Sequence, residues 1–103
     1  MISGCGSTLP AFSSSLYGGL SSINTVTRFD LDTYPTTCRV ASEVTDFDPR
    51  PFFDNVKSIK SNDRFTHFAV AAAKLALEDA GVPAGGSTGE PGNLGVMIGS
   101  AFG

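Results

Sequence analysis

The segment NDRFTHFAVAAAKLALEDAG, Asn62 to Gly81, constrains this chain more than any other, because it reads as a long helix that is apolar on nearly every side. At 100° per residue, Asp63, Arg64, His67, Lys74 and Glu78 gather within about 100° of one another. The rest of the circumference belongs to Phe65, Phe68, Val70, Leu75, Leu77 and alanines. From Phe68 to Leu77 the one polar residue is Lys74. Ala69, Ala72, Ala73 and Ala76 let neighbouring backbones come close, as in a helix sandwiched between layers. The ends are punctuated: Asn62 suits the N-cap, Asp63 sets an anion at the positive end of the helix dipole, and Gly81 stands just past the last turn. Such a helix demands cover on most of its surface, and 103 residues have little cover to offer.

The flanking segments sharpen that demand. VPAGGSTGEPGN, Val82 to Asn93, is rich in Pro, Gly and Ser and predicts a flexible surface loop over about residues 82–94. GVMIGSAFG, Gly95 to Gly103, is a short apolar run bounded by glycines, the pattern of a fully buried strand. Upstream, GCGSTLPAFSSSLYGGL suggests a short buried strand at its start and then a loop. Ile23 to Pro51 reads as a connecting segment, with turns around Thr27–Asp30 and Phe47–Pro49 and a strand within Arg39–Val44. A helical turn fits Pro51–Val56, with Pro at its first position. Strand, crossover helix and strand predict an α/β fold with a parallel sheet, whose two faces both need covering. One helix cannot cover both, so the isolated chain is expected to be marginally folded at best.

Composition removes several classes of function. The net charge of -3 disfavours a polyphosphate partner, because no Lys/Arg cluster is present to displace counterions, and a nucleic-acid role is excluded from the expectation. No apolar run is long enough to span a bilayer, so no membrane role is expected. The N-terminus MISGCGSTLPAF lacks the basic start and continuous apolar core of a signal peptide. Cys5 and Cys38 have neither CxxC spacing nor a nearby His, which predicts free thiols in a reducing compartment and no zinc site.

The residues that bear chemistry have mostly structural readings. Gly4-x-Gly6 lacks the third glycine of a dinucleotide fingerprint, and a tight strand-to-loop turn explains it better than a phosphate cradle. Gly95, Gly99 and Gly103 recur every four residues with no Lys-Ser/Thr pair, which indicates close backbone packing. His67 lies on the narrow polar stripe without a carboxylate or second His at relay spacing, so a structural or surface role is expected. Asp30, Asp32, Asp46, Asp48 and Asp54 are scattered over loops and are read as solvating and capping groups. Neither Cys5 nor Cys38 opens a helix, the setting that lowers a thiol pKa, and neither is read as a nucleophile.

Taken in order, TRFD, YP, EV-DFDP, DRFTHFAVAAAKLALEDAG and GVMIGS-FG resemble the amino-terminal portion of the beta-ketoacyl-acyl carrier protein synthases, elongating condensing enzymes of fatty acid synthesis with a thiolase-like fold. The likeness runs from about Leu16 to Gly103, and SGCGSTLP, Ser3 to Pro10, looks like that family's first strand and turn. Between Pro10 and Leu16 the chain is several residues shorter than the family's first helix requires. By this resemblance residues 1–103 form a partial amino-terminal domain of a layered α/β, thiolase-like body. The enclosing layers explain a helix that is apolar all round.

The resemblance implies a decarboxylative Claisen condensation for the complete protein, with acyl and malonyl forms of acyl carrier protein as partners, a homodimeric assembly, and no organic cofactor or metal. The family's nucleophilic Cys, in a Thr/Ser-Ala-Cys context, and its two His and Lys lie beyond the segments matched here. No catalytic residue is therefore assigned, and this polypeptide alone is expected to be inactive. GSAFG resembles the family's Gly-Ser-Gly-x-Gly turn, which makes Phe102 the variable residue facing the acyl-chain channel. The implied location is bacterial cytoplasm or plastid stroma, ahead of the mitochondrion. Rival readings are a non-catalytic remnant of the same scaffold and an unrelated small α/β binding module. A downstream frame carrying Thr/Ser-Ala-Cys would separate them.

Overall fold

A computed structural model of the chain describes residues 1–82 and 95–101. The chain divides into two compact units, Met1–Phe47 and Asp48–Gly103.

In the first unit the N-terminal strand expected from sequence is reduced to a single antiparallel bridge, Ser3 with Gly6, closed by Ser3 N donating to Gly6 O (3.0 Å) and Gly6 N to Ser3 O (3.1 Å). A residue pair three apart in sequence makes a turn, with no length left for a ladder. The loop expected next is instead helix α1, Leu9–Tyr17. Thr8, extended, caps it by accepting from Ala11 N at 3.3 Å, and Pro10 sits in the first turn where its missing N–H costs nothing. Gly18 N donates to Ser14 O (2.9 Å) and Leu20 N to Ser15 O (2.9 Å), with Gly19 at φ 64° making the left-handed turn out of the helix. Strand β1, Ile23–Thr25, then pairs antiparallel with β2, Val40–Ser42, in the register Ile23↔Ser42, Asn24↔Ala41 and Thr25↔Val40. The strand expected within Arg39–Val44 is therefore present. Leu31 and Phe47 are this unit's buried apolar side chains.

The second unit opens with a 3-10 turn, Arg50–Phe52, and continues into helices α2, Val56–Ser61, and α3, Arg64–Asp79. Asn55 caps α2, its Oδ1 accepting from Ser58 N at 2.8 Å. Asn62, expected as the N-cap of the long helix, instead closes α2: its Nδ2 donates to Ser58 O at 2.7 Å, and Asp63 occupies the α3 N-cap without a side-chain capping bond. The carbonyl at the end of α2 lies within reach of the Asn62 amide, so the side chain serves the preceding helix. At the other end Gly81 takes φ 66°, as expected, with Gly81 N donating to Glu78 O (3.0 Å) and Val82 N to Leu77 O (2.9 Å).

Two expectations fail. Residues 95–100 form no strand; the exposure of Val96, Met97 and Ile98, 74%, 99% and 61%, is that expected of an apolar segment one helix cannot cover. The sheet among the described residues is the antiparallel pair β1–β2, with no parallel crossover through α3. A strand exists through its ladder, and the described part of this unit offers residues 95–100 no strand partner. The loop predicted over about residues 82–94 lies, from residue 83 onward, outside the described residues.

Candidate functional site

The alanines of α3 build a concave surface in the second unit. Ala69, Ala72, Ala73 and Ala76 line a groove of about 430 Å3 together with Leu77 and residues 95–98. An adjoining hollow adds Phe65 and Val70 on the same helix. Residues four and three apart share a helix face, which is why this sequence makes a continuous trough. Within α3 only His67 and Ala71 are buried, and Phe65 is 40% exposed. Among the described residues that line it, Thr66 and Ser100 bring hydroxyls and the rest are apolar or glycine, so the trough is shaped for close apolar packing.

His67 is 8% exposed and departs from the expected solvent-facing polar stripe. Its Nε2 lies 3.0 Å from Ile59 O, and since a carbonyl only accepts, Nε2 carries the hydrogen. The ring meets Phe53 edge-on, with centroids 5.2 Å apart and planes at 77°. His67 thus pins α3 to α2 and to the segment after the 3-10 turn, which is the structural role expected of it.

The hairpin of the first unit is closed by a carboxylate that the sequence reading gave no role. Glu43, directly after β2, accepts from Thr27 Oγ1 at 2.7 Å, from Thr27 N at 3.2 Å and from Arg28 N at 3.1 Å. The Thr27 hydroxyl bond, aided by the two backbone N–H groups and the Arg28 charge, holds the Glu43 carboxyl below its ordinary value against a smaller desolvation effect. No short spacing signals this contact: the partners are 16 and 15 residues apart and meet only because the chain doubles back.

The scattered aspartates behave as solvating and turn-forming groups. Asp30 accepts from Thr33 Oγ1 (2.6 Å) and Asp32 N (3.0 Å), and the Thr33 bond is the main cause of its lowered pKa. Asp48 pairs with Arg50 at 2.7 Å, which lowers the carboxyl and raises the guanidinium. Asp46 accepts from Ser7 Oγ at 2.8 Å, and Asp32 meets Arg39 at 3.4 Å. Asp54 is exposed. Cys5 is half-buried, its thiol donating to Ser22 Oγ at 3.2 Å; Cys38 is exposed, its thiol 3.4 Å from Val40 O. Both are free, and neither begins a helix. Among the described residues no three His, Cys, Asp or Glu side chains assemble as a metal set, and no helix is long and apolar enough to cross a membrane. Gly4 and Gly6 are packing positions: a Cβ on Gly6 would come 2.8 Å from Ala11 Cβ and 2.9 Å from Phe12 N. Phe102 lies outside the described residues.

Comparison with known proteins bears directly on what the trough belongs to. The family model for the beta-ketoacyl synthase N-terminal domain matches residues 1–103. The chain is 42% identical over 88 residues, 85% of its length, to 3-oxoacyl-[acyl-carrier-protein] synthase 2 of Coxiella burnetii, covering 20% of that protein. It is 38% identical over 98 residues, 95% of its length, to the synthase 2 of Synechocystis, covering 22%, and 34% identical over 85 residues, 82% of its length, to that of Staphylococcus aureus, covering 19%. The chain thus spans about a fifth of the length of the curated relatives it matches. The motifs, the capped apolar helix and these matches agree on an α/β, thiolase-like fold class, and the chain belongs to the beta-ketoacyl synthase family, within its N-terminal domain.

Proposed function

We propose that this protein contributes the amino-terminal scaffold of a 3-oxoacyl-acyl carrier protein synthase that elongates fatty acids by decarboxylative Claisen condensation. The observation that carries this reading is the match to synthases of that name over 82% to 95% of the chain. The α3 trough supports it, since a helix with alanines at Ala69, Ala72, Ala73 and Ala76 suits a layered body in which later segments of the enzyme lie against it. In the reaction a cysteine thiolate takes the acyl group from its carrier thioester and releases the carrier thiol. Malonyl carrier protein then loses CO2, and the resulting carbanion attacks the enzyme thioester and expels the thiolate. Those groups belong to the part of the enzyme beyond the residues assigned here. The partners of the complete enzyme are acyl and malonyl carrier proteins, and its assembly is a homodimer. Phe102, by its place in GSAFG, lines the acyl-chain channel.

A chimera tests the proposal. Residues 1–103 are grafted onto the Coxiella burnetii synthase in place of the region they match, and the product is incubated with acyl and malonyl carrier proteins. The expected outcome is a dimeric protein that forms the 3-ketoacyl product, while the 103-residue chain alone forms none. A folded, dimeric chimera without turnover would overturn the reading.

A further inference from the structure

We draw no further inference here: the strongest candidate outside the α3 trough, the apolar hollow beside the β1–β2 hairpin lined by Val26, Phe29, Tyr34 and Val40 with the exposed Cys38 thiol at its edge, is an unpartnered face with a lone cysteine, and nothing in the structure shows what covers it.

Discussion

Replacing His67 should loosen α3. The side chain makes two separable contacts, the Nε2–H bond to Ile59 O at 3.0 Å and the edge-on approach to Phe53 at 5.2 Å. Leaving a partly buried carbonyl without its donor costs about 1 to 3 kcal/mol, of which the low end applies because water still reaches the α2 terminus. An aromatic pair of this geometry is worth roughly 0.5 to 1.5 kcal/mol beyond its buried area. Together His67→Ala should cost about 2 kcal/mol, a factor of roughly 30 in the opening equilibrium of α3. Amide hydrogen exchange across Arg64–Asp79 reads that factor directly. His67→Gln, whose amide can still donate to Ile59, should recover about 1 kcal/mol, or roughly fivefold. His67→Leu fills similar space without donating and should stay well below the glutamine variant. If leucine protects α3 as well as histidine does, the hydrogen bond contributes nothing and the account of His67 as a pin is wrong.

Three further changes probe the rest of the chain. Gly6→Ala puts a Cβ against the backbone of α1 at a φ of 150°, which side chains rarely adopt, and should cost about 1 to 3 kcal/mol; unchanged exchange protection of the α1 amides would contradict this. Glu43 has a folded-state pKa below its unfolded value, so its contribution is present above the ordinary carboxylate range and is lost as pH falls through the lowered value. The Thr27 and Arg28 amides should therefore exchange faster, relative to intrinsic rates, on acidification; in Glu43→Ala they should do so at every pH, and a pH-independent ratio in the parent would sink the assignment. In the complete enzyme, Phe102→Ala should raise activity on long relative to short acyl carrier proteins, because an overpacked slot costs on the order of 1 to 3 kcal/mol; an equal loss at all chain lengths with a lower Tm would leave only a packing role.

Much of the local structure is legible in the sequence. Gly81 ends α3 because a left-handed residue is needed there, and the Arg39–Val44 reading contains β2. Helix α1 is not legible even though Thr8 and Pro10 signal its start, since three consecutive serines in FSSSL mask its apolar period. Asn62 is ambiguous in the sequence because an Asn between two helices can serve either one, and only the position of the Ser58 carbonyl decides. For His67 a helical wheel leaves a structural and a surface role equally open, because it ranks faces by polarity and does not record the α2 carbonyl that makes one polar residue welcome inside.

What depends on near neighbours and on motif order is written in the sequence: the apolar α3, its Gly81 terminus, and membership of the beta-ketoacyl synthase family. Those properties reside in spacings of a few residues or in the linear succession of motifs. Tertiary structure alone decided which distant groups meet. Glu43 finds Thr27 and Arg28 only once β1 and β2 are paired, and His67 finds Ile59 and Phe53 only once α2 turns back on α3. It also decided the state of residues 95–100, whose apolar pattern reads as a strand but whose backbone becomes one only beside a partner, because a ladder's hydrogen bonds are made between segments and not within one.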